Sequence, residues 1–144
     1  MIGEAERAQF ARLVDEARLC VLVTHVNPDG DAIGSEIGLA RFLLARGGEV
    51  RIINQDRTPE SLRWLEFDGP QAESYEAPRH DGVLDACDAI VLLDNSAPDR
   101  LGRMEPAVRA RAAKTFCIDH HPTRETPWRK NIIDTSACAT AALV

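Results

Sequence analysis

Residues 24–35 read T-H-V-N-P-D-G-D-A-I-G-S and crowd His25, Asn27, Asp29 and Asp31 into one short turn. Imidazole nitrogens and carboxylate oxygens are metal-ligating and acid–base groups. Two carboxylates this close repel each other unless a cation or a proton relieves them. A plainer reading is a strand-to-helix loop. Asn-Pro and Asp-Gly are strong turn dipeptides, and Asp31 would cap a helix starting near Ala32 by accepting an orphan backbone N–H. The same residue types recur further along. Asp94 stands in V-L-L-D-N-S, Asp119, His120 and His121 in I-D-H-H-P-T, and Asp134 directly after N-I-I.

Each of these groups follows a run that reads as a buried strand. L-C-V-L-V (19–23), A-I-V-L-L-D (89–94) and T-F-C-I-D (115–119) are short, apolar and continuous, with E-V-R-I-I (49–53) and a brief N-I-I (131–133) alongside. Between them the apolar period changes to that of helices. Phe10, Leu13, Val14 and Ala17 predict a helix over 4–17, residues 32–48 predict one that stops at Gly47-Gly48, and residues 105–114 predict another. A short helix is expected from Pro59, a loop over 69–80, and a final helix in S-A-C-A-T-A-A-L-V. Alternating strands and helices imply an α/β domain with a mostly parallel sheet. Ligands bind such sheets beyond the carboxyl ends of the strands. Four strand ends therefore carry His25, Asp29, Asp31, Asp94, Asp119, His120, His121 and Asp134 toward one edge.

Composition narrows the partners. With 144 residues, 44% of them hydrophobic, the chain reads as one ordinary globular domain. No stretch of about 18 apolar residues indicates a membrane span, and the first residues carry no apolar signal core, so the cytoplasm is the expected location. Cys20, Cys87, Cys117 and Cys138 form no C-x-x-C pair, which favours reduced thiols over a disulfide framework or a thiolate–zinc site. A formal net charge of −6 disfavours long duplex nucleic acid, whereas a small anionic substrate remains compatible through metal ions. Carboxylates with imidazoles and no clustered thiolates suit manganese, with magnesium, iron, cobalt or zinc as substitutes. Two such ions about 3.5–4 Å apart can bridge an attacking hydroxide and clamp a phosphoryl group.

T-H-V-N-P-D-G-D-A-I-G-S, V-L-L-D-N-S, I-D-H-H-P-T and I-I-D-T-S-A-C-A-T-A-A-L-V together resemble the four ordered motifs of the DHH phosphoesterases, most closely the oligoribonuclease and pAp-phosphatase (nanoRNase) branch. The resemblance implies a three-layer α/β domain over residues 1–144, the N-terminal catalytic domain of a two-domain protein. It implies two manganese ions. His25, Asp29 and Asp94 match the ligands of one, and Asp31, Asp94, His120 and Asp134 those of the other, with Asp94 as the bridge. Asp119, Asp94, His120 and His121 are the catalytic positions so implied. His121 faces substrate, and Asp119 supports the histidines by fixing a tautomer and ring orientation. The nucleophile would be an ion-activated hydroxide. Asn27 and Arg100 are candidate substrate contacts, although a structural ion pair is the stronger expectation for Arg100. Trp64 and Tyr75 are too isolated to argue for a base-stacking platform.

The implied activity is hydrolysis of short oligoribonucleotides to mononucleotides and removal of the 3′-phosphate of pAp, with no action on long duplexes. A homodimer is an option for the intact protein. The family-II inorganic pyrophosphatases are the rival enzyme branch, but they carry threonine where Gly30 stands. A metal- or nucleotide-binding module without turnover is the third class, and the full set of ligand-type residues argues against it. Family members also carry a second, substrate-gripping domain, so a chain stopping at Val144 reads as a fragment.

Overall fold

The computed structural model describes residues 3–123 and 126–144. Six strands, β1 (Leu19–Val23), β2 (Glu49–Asn54), β3 (Ala72–Ser74), β4 (Ala89–Leu93), β5 (Thr115–Asp119) and β6 (Lys130–Ile133), form one sheet in the order β3-β2-β1-β4-β5-β6. Every pairing is parallel, so all carboxyl ends share one edge. The chain builds outward from β1 to β3, then returns to lay β4 on the opposite side of β1. That reversal makes the gap between β1 and β4 the switch point of the sheet.

Side-chain alternation along the strands separates two apolar layers. Cys20 and Leu22 of β1 pack with Val91 and Leu93 of β4 on one face, against Ile33, Ile37 and Leu43 of α2 (Gly30–Ala45). Phe10, Leu13 and Val14 of α1 (Glu4–Glu16) close that side. Val21, Val23, Ile90 and Leu92 point the other way, onto Leu84 of α3 (Ala77–Ala86), Val108 of α4 (Glu105–Arg109), Leu101, Met104 and Trp128. Both faces are covered, which gives the three-layer α/β arrangement. It also explains why β4 reads as an unbroken apolar run, because all five of its residues are buried.

α2 stops as its glycines predict. Gly47 adopts φ 85°, the Gly48 N–H donates to the Leu43 carbonyl at 3.1 Å and the Gly47 N–H to Leu44 at 2.9 Å, the 6→1 and 5→2 pair of a Schellman ending. Three expectations need correction. Residues 69–80 are not a loop, because they contain β3 and the start of α3. β3 is a three-residue edge strand with no apolar run to betray it. Pro78 sits in the first turn of α3, where a missing N–H costs nothing. The 105–114 helix breaks after Arg109 and resumes as a 3₁₀ turn over Ala112–Lys114, since Arg111 takes φ −116°, ψ 23° while its guanidinium holds Asp85 and the Ala107 carbonyl. The chain's last segment forms a single 3₁₀ turn, Thr140–Ala142, and not a regular helix.

Candidate metal centre

β1 and β4 deliver the two central residues side by side. Val23 pairs with Leu92, and one residue further the Thr24 hydroxyl donates to the Leu93 carbonyl at 2.7 Å. His25 and Asp94 follow at once, facing each other across the switch point. Asp94 is buried and adopts φ 59°, a left-handed conformation that is strained for a residue with a Cβ. Its N–H donates to the Ile118 carbonyl of β5 at 3.0 Å, which pins the turn in that conformation.

The turn after β1 is built from its own polar groups. Asn27 also lies in the left-handed region (φ 51°), which asparagine tolerates, and its N–H donates to Asp56 at 2.8 Å. Asp29, not Asp31, is the N-cap of α2. Its Oδ1 accepts the N–H groups of Asp31 and Ala32, each at 3.0 Å. Asp31 is displaced from that role because its carboxylate serves the distant 3₁₀ turn, accepting the N–H of Thr140 at 2.8 Å and of Ala141 at 2.9 Å.

Three histidines surround Asp94. The His25 Nδ1–H donates to the Val26 carbonyl at 2.7 Å, and the His120 Nδ1–H to the Ala137 carbonyl at 3.2 Å. A carbonyl only accepts, so both rings keep hydrogen on Nδ1 and turn Nε2 toward the carboxylates. His25 Nε2 lies 3.5 Å from Asp94 Oδ2; His120 Nε2 lies 3.5 Å from Asp31 Oδ2 and 3.6 Å from Asp94 Oδ1. His121 comes within 3.5 Å of Asp94 through Nδ1. Asp119 is set against His121 and not His120. Its Oδ1 accepts the His121 N–H at 3.0 Å and lies 2.8 Å from Nδ1.

Burial would raise the Asp94 carboxyl, but His25 and the Thr140 hydroxyl, which donates at 2.8 Å, outweigh it and hold the group below the usual carboxylate range. The Asp94 carboxylate in turn raises His25, against the opposing effects of burial and of the Arg100 charge.

These spacings fit a divalent cation. Two donors each about 2.1 Å from one ion stand about 3.0–3.4 Å apart, close to the separations here and longer than a charge-assisted hydrogen bond. Two clusters bring one donor atom from every member within 4.8 Å of the rest. One is His25, Asp29 and Asp94, the other is Asp94, His120 and His121, and Asp94 belongs to both. Asp31 approaches the second through His120. Asp134 joins neither cluster; its N–H donates to the Asp119 carbonyl at 3.1 Å and its Oδ1 accepts from Ser136. The ion pair expected of Arg100 does not form with any described residue, although its carbonyl accepts the Val26 N–H at 2.9 Å. Thr140 was missed by residue-type reasoning, since a threonine in a small-residue run carries no signal of its contact with Asp94.

An all-parallel sheet with carboxylates and imidazoles gathered at its switch point defines a class of α/β protein built to hold cations beyond its strand ends. The chain belongs to the DHH family, whose N-terminal-domain model matches residues 20–144. It is 35% identical to the bifunctional oligoribonuclease and PAP phosphatase NrnA of Thermus thermophilus, over 100% of this chain and 43% of that protein. With the NrnA of Bacillus subtilis it shares 27% identity, over 96% of this chain and 40% of that one. An exopolyphosphatase-related protein from Bacteroides fragilis superposes with a TM-score of 0.90 at 30% identity, covering 99% of this chain and 42% of that one. Exonuclease RecJ bound to manganese shares the fold at a TM-score of 0.56 and 19% identity. The chain thus spans about two-fifths of the length of the NrnA proteins and the B. fragilis structure.

Proposed function

We propose that residues 1–144 are the N-terminal catalytic domain of a metal-dependent phosphoesterase that hydrolyses short oligoribonucleotides to mononucleotides and removes the 3′-phosphate of pAp. The observation that carries this reading is the sharing of Asp94 between the His25–Asp29 and the His120–His121 clusters. The NrnA relatives, bifunctional oligoribonucleases and PAP phosphatases by name, supply the substrate class.

In this reading His25, Asp29 and Asp94 hold one manganese, and Asp94, His120, Asp31 and Asp134 the other, with magnesium, iron, cobalt or zinc able to substitute. Bound ions would neutralise phosphoryl charge and lower the pKa of an attacking water. The chain's own groups orient and hold. The Val26 and Ala137 carbonyls fix the His25 and His120 tautomers, so that Nε2 is the donor presented to an ion. Asp119 fixes His121, which is 45% exposed and thereby available to donate to a substrate phosphoryl oxygen. Arg100, unpaired among the described residues, supplies positive charge beside His25 and is a candidate phosphate contact with Asn27.

Manganese-supported turnover of pAp, short oligoribonucleotides and pyrophosphate by the full-length protein separates the alternatives. Release of mononucleotides and of phosphate from pAp is the expected result. Hydrolysis of pyrophosphate alone would move the assignment to the pyrophosphatase branch, and manganese binding with no turnover would reduce the chain to a binding module.

A further inference from the structure

Glu36 is a charge-bearing residue buried in the middle of an apolar helix face. It lies on α2 between Ile33 and Ile37 and is 1% exposed. Its Oε2 accepts from Asn54 Nδ2 at 2.8 Å, at the end of β2. Asn54 Oδ1 accepts the N–H of Thr24 at 2.9 Å, and Thr24 reaches the Leu93 carbonyl through its hydroxyl. The polarity of this chain is set at one end by a backbone group. The Thr24 N–H can only donate, so Asn54 must present its oxygen there and its NH₂ to Glu36. Glu36 must therefore accept at Oε2.

Glu36 Oε1 has no hydrogen-bond partner among the described residues. A buried carboxylate with one oxygen unsatisfied is costly, whereas a carboxylic acid with its proton on that oxygen avoids a buried charge. Burial raises its pKa to about 8, lowered somewhat by Asn54 and raised further by the Glu66 carboxylate. Glu66 is the charged group that faces it, and is itself tied to the Thr58 hydroxyl at 2.5 Å and the Ala72 N–H at 3.0 Å. From β2 it meets the neutral Asn54, through which it is connected to Thr24.

The connection runs between the two halves of the proposed metal centre. Asp29 and Asp31 are fixed to α2, whereas His25 and Asp94 follow the ends of β1 and β4. Alongside apolar packing and the Asp31–Thr140–Asp94 connection at the start of the helix, Glu36–Asn54–Thr24 is a second polar link, one that ties the middle of α2 to the ends of β1 and β2. We infer that Glu36 is a positioning residue that, through Asn54 and Thr24, places the Asp29–Asp31 turn relative to His25 and Asp94. This rests on the reading of those four residues as cation ligands.

The test uses the full-length protein and two variants, Glu36→Gln, which keeps an acceptor for Asn54, and Glu36→Leu, which removes it at similar volume. Two quantities are measured: Mn²⁺ affinity by electron paramagnetic resonance titration, and amide hydrogen exchange at Thr24 in the metal-free protein, with a β4 amide as control. In Glu36→Leu, Thr24 should exchange about tenfold faster relative to the control, and Mn²⁺ affinity should fall by about tenfold. Glu36→Gln should stay near the wild type in both. Should Glu36→Leu fail to fold, raising the pH from about 7 to about 9 serves instead. Intrinsic-rate-corrected Thr24 protection should then fall in the wild type, where Glu36 ionises, and hold in Glu36→Gln. Wild-type Thr24 protection and Mn²⁺ affinity retained in Glu36→Leu, or equal pH responses in wild type and Glu36→Gln, would overturn the positioning role. If the wild type bound no Mn²⁺, the cation-centre reading would fail, and Thr24 exchange would still decide whether Glu36 governs the strand end.

Discussion

Replacing Glu36 by glutamine should change how stability depends on pH more clearly than how large it is. In the folded protein Glu36 keeps its proton up to about pH 8, whereas the unfolded chain releases it near the ordinary value of 4.5. Between those values the folded state binds a proton that the unfolded state does not. The stabilisation is complete below about pH 4.5 and is lost progressively as pH rises to about 8, a loss of about 1.4 kcal/mol per unit and about 5 kcal/mol over the window. Glutamine binds no proton and lacks this slope. It does bring an extra N–H to the unpartnered Oε1 position, a pH-independent cost of about 1–3 kcal/mol. The stability of Glu36→Gln minus that of wild type should therefore start near zero or negative at about pH 5.5 and climb by about 3 kcal/mol by about pH 7.5. Urea denaturation with chelator present, followed through buried Trp128, gives this difference directly. The histidines titrate in the same range but are common to both proteins and largely cancel. A difference that stays flat from pH 5.5 to 7.5 would show that Glu36 is already ionised in the fold, and the reasoning from burial would be wrong.

Asp94→Asn removes the charge shared by both clusters and should weaken all Mn²⁺ binding together, whereas Asp134→Asn should weaken one site chiefly; two undiminished sites in a titration of Asp94→Asn would refute the bridge. Thr140→Val deletes the hydroxyl that donates to Asp94 Oδ1 and should cost about 1–2 kcal/mol of stability in a denaturation experiment, with a smaller loss of Mn²⁺ affinity than Asp94→Asn. Leu22→Ala, at a fully buried position in the centre of β1, should cost about 3 kcal/mol in the same assay, and a cost below about 1 kcal/mol would contradict its placement against α2.

Strand identity was legible because three of the strands are apolar runs with no competing period, and β1, β4 and β5 fall within a residue of their expected limits. α2 was legible at its end through Gly47-Gly48, and less so at its start, where Asp29 and Asp31 are equally good caps by type. What separates them is Thr140, which claims Asp31 from more than a hundred residues away. β3 and α3 were hidden because an edge strand buried on neither face needs no apolar run, and because a proline in a first turn looks locally like a loop. The candidate centre followed from strand ends alone once the strands were taken as parallel. The partners of those side chains did not, since Glu36, Asn54 and Thr140 are polar residues whose meaning depends on the element packed against them.

The carboxylates at this edge are held apart by the fold before any cation arrives. Asp29 sits at the N-terminus of α2, where two N–H groups and the helix dipole stabilise its charge. Asp31 accepts the N–H groups of Thr140 and Ala141 from the 3₁₀ turn at residues 140–142, and Asp119 accepts the N–H of His121. Each donor locks an orientation, and for Asp29 and Asp119 one carboxylate oxygen, Oδ1, takes all the bonds made with described backbone N–H groups. Asp94 is the exception. Among the described residues its carboxylate accepts the Thr140 hydroxyl and no backbone N–H, and histidine nitrogens stand 3.5–3.6 Å away. Asp94 and Asp119 are the buried members of the set, and of these aspartates Asp94 is the one with a left-handed backbone. With one hydroxyl and three histidine nitrogens as its described partners, a carboxylate so placed gains most from a cation, and this accords with its membership of both clusters.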